Sequence, residues 1–377
     1  MTRASTTVSQ TSKSRLGTVI TVKRLAFATL ALAIAAGALA DAPTPTLAPA
    51  AMKMIKDNLP VCAAETSVSY AAMPHKLPAN LSAIMVRVES KRQGCEGQWL
   101  AATSSGGGFF LGIPWFLDDE KEEKTLEAKL KAFAWNKLQQ NVAPAITRAE
   151  TRDGLYPVTL QQTTERGAIT IEGEVDPSGT VFFLGHFAPL KGDLRQERLK
   201  AFGPIVTNSP TKGAAKPEVT VIEFSDFECP SCMRAAGYMD LLKKYDDKVR
   251  FVRYDLPLVQ MHPWALSAAI AGRAIYRQKP ELFWEYKKHV YENQEKLSAF
   301  TFDDFARGFA QDHELDLKKY DADVSSPELR AEILKGVGVA FVNDIRATPT
   351  YVVNGIAVDP GDGGAALDKY VAGLLKK

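Results

Sequence analysis

The sequence predicts two domains of different class, an α+β domain at 41–202 and an α/β domain at 218–377, joined by a linker at 203–217. Three observations carry this expectation. Gly203–Pro217 holds three prolines, two glycines and few large apolar residues, the composition of an interdomain connection. Ahead of it, an amphipathic helix and three short runs read as a helix with an antiparallel meander. Behind it, the order is strand, helix, strand, a long helical block, two strands about a turn, and a final helix.

Taken along the chain, Asp41–Pro49 is rich in Ala, Pro and Thr and reads as a leader. Leu126, Leu130, Phe133, Ala134 and Leu138 recur at helical spacing, which predicts a helix over Glu123–Gln140 with the charged run Asp118–Lys124 as its solvated first turn. The glycines of Ser104–Gly108 lack a following Gly-Lys-Ser/Thr and read as a loop. The meander strands are Tyr156–Thr163, Ala168–Glu174 and Thr180–His186, divided by Arg166-Gly167 and by Asp176–Gly179. A helix over Asp193–Phe202 leads to the linker. Beyond it, Val219–Phe224 is an apolar strand interrupted by Glu223, Met233–Tyr245 is helical, and Val249–Asp255 is a strand. From His262 to about Arg346 the chain reads helical, with breaks near Lys279-Pro280, Ser298 and Ser325–Pro327. Strands Thr350–Val353 and Ile356–Val358 turn at Asn354-Gly355, and a helix spans Ala365–Leu375.

Forty-six per cent hydrophobic and 24% charged residues exclude collagen-like and disordered classes. The net charge of +2 divides unevenly: residues 1–40 carry Arg3, Lys13, Arg15, Lys23 and Arg24 and no acid. The remainder is slightly acidic, so electrostatics predict no nucleic-acid partner. Within 1–40, a basic stretch, an apolar run from Leu25 to Gly37 and Ala38-Leu39-Ala40 form the pattern of a signal peptide cleaved after Ala40. The alternative is an uncleaved membrane anchor. Either way the body is expected outside the cytosol, in an oxidising compartment.

Export favours paired cysteines, and the chain has four: Cys62, Cys95, Cys229 and Cys232. Elimination favours a structural Cys62–Cys95 bridge, with two free buried thiols as the alternative. The chemistry lies in Cys229-Pro230-Ser231-Cys232, between a strand and a helix. Proline suits a first helical position, so Cys229 falls at the N-cap and Cys232 one turn on. Backbone N–H groups and the helix dipole then favour a Cys229 thiolate, while Cys232 stays a more buried thiol. A zinc site would need a second ligand pair, and covalent haem would need histidine where Met233 stands. A purely structural bridge over so short a loop stabilises little. The expectation is a redox-active dithiol with no metal and no cofactor.

Pro217–Cys232, His262-Pro263-Trp264-Ala265 and Ala347-Thr348-Pro349-Thr350-Tyr351 resemble, in order and spacing, the DsbA-type thioredoxin-fold thiol:disulfide oxidoreductases of bacterial envelopes. The resemblance covers about Gly203–Lys377. It implies an α/β thioredoxin fold with an inserted helical domain at about 256–346; the separate α+β N-terminal domain before it is read from its own helix and meander. It also implies Cys229 as nucleophile, Cys232 as resolving thiol, and a periplasmic or otherwise exported location. Pro349 matches the family's cis-proline, which turns backbone groups of Thr348 toward a bound peptide; an ordinary proline at a strand start is the alternative. Glu223 matches a buried acid that exchanges protons with the resolving thiol; a water-bridged structural acid is the alternative. Ser231 replaces the histidine of the best-known oxidase, which should make the disulfide less oxidising. His262, before Pro263, is expected to cap a helix rather than act as a base.

The implied function is disulfide exchange with folding proteins, chiefly as an oxidase. The expected partners are unfolded or partly folded clients and a membrane redox partner. An isomerase or reductase dimerising through the first domain is one alternative. Another is a chaperone-like binding module with secondary redox activity. The first domain is longer than known dimerisation domains and matches none of their motifs, so a monomer is favoured.

Overall fold

The computed structural model describes residues 45–92 and 94–376, and the expected signal segment at 1–40 lies outside them. Helix α1 (Pro49–Asn58) precedes strands β1 (Thr66–Ala71), β2 (Leu81–Ser90), β3 (Gly97–Ser104) and β4 (Gly108–Gly112). Next come β5 (Pro114–Phe116), α2 (Leu126–Leu138), β6 (Val142–Ile146), β7 (Tyr156–Thr164), β8 (Gly167–Val175), β9 (Val181–Leu184), β10 (Ala188–Pro189) and α3 (Leu194–Val206). The strands form two antiparallel sheets of order β1-β2-β3-β4-β10 and β5-β9-β8-β7-β6.

The first of these sheets gives no alternating signal in the sequence, for a physical reason. One face of β2–β4 (Ile84, Val86, Ala101, Phe109) packs on Ala51, Met54 and Ile55 of α1. The other face (Met85, Leu100, Ala102, Phe110) packs on Phe116, Val181 and Phe183 of the second sheet. A sheet covered on both sides needs few polar positions, so the two-residue period is blurred. Helix α2 starts later than its charged approach implies. Asp118–Lys124 precedes the helix rather than forming its first turn, and Thr125 caps it by accepting from the Ala128 N–H at 3.2 Å.

The expected linker at 203–217 is largely built into the fold. Gly203–Val206 completes α3 despite Pro204, because Phe202 and Ile205 are anchored in the core. Thr211–Gly213 forms β11, antiparallel to β13 (Val249–Asp255). Between them lie β12 (Val219–Ser225) and α4 (Pro230–Arg234). The helical insert comprises α5 (Ala265–Gln278), α6 (Leu282–Asn293), α7 (Phe302–Asp312), α8 (Leu317–Val324) and α9 (Pro327–Val342). It returns to β14 (Thr350–Val353), β15 (Ile356–Val358) and α10 (Ala365–Leu374). The third sheet has the order β11-β13-β12-β14-β15, with β12 and β13 parallel, which is the thioredoxin arrangement with helices inserted between β13 and β14. Asn354 and Gly355, with φ of 46° and 85°, make the tight β14–β15 turn as both residues of an Asn-Gly hairpin should.

The first half keeps its own two sheets yet shares a core with the thioredoxin half. Leu130, Phe133 and Ile171 lie in one apolar cluster with Ile333 and Val337 of α9 and with Phe224 and Tyr254 of the central strands. At Gly338 an added Cβ would lie 1.8 Å from the Thr170 carbonyl oxygen, so α9 crosses β8 at a distance that only glycine permits. No helix among the described residues is long and apolar enough to cross a membrane.

Cys62 and Cys95 are disulfide-bonded, with Cα atoms 5.8 Å apart. The bond fastens the β2–β3 hairpin to a segment that lies on the thioredoxin sheet. There the Val61 N–H donates to the Ala357 carbonyl at 2.9 Å, and the Asp359 N–H donates to that of Val61 at 2.8 Å. Arg92 adds an ion pair to Asp359 at 2.6 Å. Closing a separation of 33 residues restricts the unfolded chain. Replacing both cysteines by alanine is therefore expected to cost about 3–4 kcal/mol in urea unfolding. A loss below about 1 kcal/mol would show that the bond does not constrain the unfolded state.

Candidate active site

β12 ends at Ser225, and Asp226–Glu228 carry the chain into α4. Cys229 is the N-cap of α4 and Pro230 its first residue. The Cys229 carbonyl accepts from the N–H groups of Cys232, at 3.0 Å, and Met233, at 3.2 Å, so both sulfurs face one side of this turn. Both cysteines are free thiols; Cys229 is 7% exposed and Cys232 fully buried. Both share an apolar cluster with Phe227, Trp264, Tyr286 and Phe302.

Cys229 is acidic for a local reason. Hydrogen bonding from the Cys232 thiol is the chief cause, and the N–H groups of Cys232 and Ser231 add to it. Together they overcome burial and lower the Cys229 pKa to about 5. Burial pushes Cys232 well above the thiol range, and its hydrogen bond to Cys229 and the charge there push it further. The expected dipole of a long helix is absent. The α-helix stops at Arg234 and resumes only as a 3-10 turn over Tyr238–Tyr245, so local donors do this work.

Thr348 reaches the site through the sheet. β14 pairs with β12 so that Thr350 lies opposite Phe224, which brings the preceding loop level with the cysteines. The Thr348–Pro349 peptide bond is cis, and the Cys229 thiol donates to the Thr348 carbonyl at 3.4 Å.

Glu223 is fully buried at the centre of β12, flanked across the sheet by Arg253 and Tyr351. Its Oε2 accepts from Lys287 Nζ of α6 at 2.7 Å, and Oε1 has no hydrogen-bond partner among the described residues. Burial alone would raise its pKa. The charges of Lys287 and Arg253 and hydrogen bonds from Lys287 and Ser225 hold it below its usual value, as a carboxylate.

Several residues that sequence reasoning missed position Cys229. Asp226 accepts from the N–H groups of Glu228, at 2.7 Å, and Leu258, at 2.8 Å. Glu228 accepts from the Trp264 N–H at 2.7 Å, and Gln294 donates to the carbonyls of Phe227, at 2.7 Å, and Cys229, at 3.2 Å. His262 is not the expected cap. α5 begins at Ala265 behind Trp264, and the His262 Nδ1 lies 2.7 Å from the buried carboxylate of Asp226. Asp226 and Glu228 beside a cysteine pair were the available signal.

This sheet and this dithiol define the second half as a thioredoxin-fold domain with a cysteine pair at the start of α4. Residues 206–371 match the family model described as Thioredoxin. The chain is 34% identical over 145 residues to the Na(+)/H(+) antiporter NhaA 3 of Salinispora tropica, across 38% of this chain and 21% of that protein. It thus spans about a fifth of the antiporter relatives it matches. It is 26% identical over 147 residues to the probable disulfide bond formation protein D of Bacillus cereus, across 38% of this chain and 68% of that protein. Among solved structures it is similar to BdbD from Bacillus subtilis in oxidised form, at 20% identity, with 46% of this chain and 95% of that one covered and a TM-score of 0.40.

Proposed function

We propose that this protein is an exported thiol:disulfide oxidoreductase that passes its Cys229–Cys232 disulfide to folding proteins, acting as an oxidase. The observation that carries the reading is the separation of the two thiols, Cys229 at about 5 and Cys232 well above the thiol range. A client thiolate attacks Cys229 Sγ of the oxidised pair, the internal S–S bond breaks, and Cys232 leaves as a thiolate that takes up a proton. A second client thiolate then attacks the client sulfur of the mixed disulfide and releases Cys229 as its stable thiolate. Two electrons pass from client to dithiol, and a membrane redox partner removes them. Glu223, the acid that the resemblance matches to one beside the resolving thiol, is the proposed proton acceptor and donor for Cys232. The Thr348–Pro349 loop would receive the client backbone. A relative named as a probable disulfide bond formation protein supports the reading. The reading includes a monomer, which leaves Cys229 open to both partners.

Thermal melts of the two redox forms test it. A thiolate favoured by the fold stabilises the reduced form, so the reduced protein is expected to melt higher, by ~5 °C or more at pH 7. The sign in pH follows from a folded-state pKa lowered from 9.0 to about 5. This stabilisation is complete above the ordinary thiol value and is lost as pH falls through about 5. A disulfide form that melts higher at pH 7 would make the protein a reductase.

A further inference from the structure

The nucleophile lies beside two acids. Asp226 and Glu228 fall within three residues of Cys229, and each negative charge opposes a thiolate there. Asp226 is fully buried in its side chain, and it also donates its own N–H to Cys232 Sγ at 3.4 Å. A buried carboxylate at this point would suppress ionisation of Cys229 unless a cation answered it. The structure supplies one from outside the motif. His262, 36 residues away, sets Nδ1 2.7 Å from Asp226 Oδ2 while its side chain stays 14% exposed. Asp226 and Glu228 of the loop and Cys229 of α4 are the titratable groups that face the imidazole. Its own neighbours, Pro263 and Trp264, carry no charge.

We propose that His262 is a positioning residue for the dithiol, whose proton on the Asp226 carboxylate permits Cys229 to ionise between two acids. This inference rests on the dithiol reading above and adds a residue to it. The imidazole is charged in the range that matters. Burial opposes its proton, but the hydrogen bond and charge of Asp226 and the charges of Cys229 and Glu228 outweigh burial and raise its pKa. Cys229 titrates at about 5, below the 6.5 of an ordinary histidine, so His262 remains protonated while the thiolate forms. The coupling must also be reciprocal, because each charge favours the other by the same free energy.

The test uses the full chain. In the reduced protein, ultraviolet thiolate absorbance followed against pH is expected to show the Cys229 midpoint rising by about one unit in His262→Gln. Glutamine keeps a donor for Asp226 and removes only the charge. In the wild type, the NMR titration of the His262 ring is expected to have a higher midpoint in the reduced form than in the disulfide form, by the same amount. An unchanged Cys229 midpoint in the variant, or one His262 midpoint in both redox forms, would overturn the proposal. A purely structural role would shift melting temperature and leave the redox difference at His262 at zero. If the variant does not fold, the wild-type titration decides alone. Disulfide exchange by the wild type is measured separately, so absence of exchange would refute the oxidoreductase reading without bearing on the linkage.

Discussion

Cys232→Ser is expected to accumulate mixed disulfides with client proteins through Cys229, whereas Cys229→Ser is expected to form none and to lose exchange altogether. The physical basis is an asymmetry in access and charge. Cys229 reaches the surface and is acidic, while Cys232 is fully buried and protonated. At pH 7 a thiol with a pKa of about 5 is almost wholly thiolate, and one well above the thiol range is almost wholly inert. Removing the resolving sulfur stops the reaction at the covalent complex; removing the nucleophile prevents its formation. Trapping clients, separating them on non-reducing gels and mapping the linked peptides by mass spectrometry checks this. Adducts found mainly on Cys232 would reverse the assignment.

Lys287→Met is expected to destabilise the protein by about 3–5 kcal/mol, because it leaves Glu223 as a buried carboxylate without its hydrogen-bonded cation. Glu223→Gln combined with Lys287→Met should recover much of that loss, since a neutral buried pair carries no uncompensated charge. The folded-state pKa of Glu223 lies below its usual value of 4.5, so the stabilisation is present above the unfolded-state pKa and is lost as pH falls through the folded one. The gap between wild type and Lys287→Met should therefore narrow in acid. Urea unfolding at pH 7 and pH 4 measures both, and a Lys287→Met loss below about 1 kcal/mol would show that the pair is not needed. Kinetics on Glu223→Gln then isolate the proton-transfer role. Turnover of Cys232 should slow while attack at Cys229 is nearly unchanged, and equal slowing of both steps would remove that role.

Local signals in the sequence determined the thioredoxin sheet. The apolar run at 219–224, the strand at 249–255 and the Asn354-Gly355 turn each act within a few residues, so their bounds in the structure agree closely with the sequence reading. Pro230 likewise places Cys229 at the start of α4. The same kind of signal failed at β1–β4, where burial on two faces removes the alternation. It also failed at 203–217, where prolines and glycines read as a linker, although Phe202 and Ile205 anchor the end of α3 and β11 joins the sheet. The partners of the site were beyond local reach. Asp226 meets His262 across 36 residues, Glu223 meets Lys287 across 64, and Gln294 meets Cys229 across 65. Composition offers each of these acids dozens of possible bases, and only the packing of the helical insert on β12 decides which one arrives. Local pattern was therefore enough to single out the cysteine pair as the candidate site. Tertiary structure decided the charges around them, because ion pairs form by proximity in space, which no local pattern encodes.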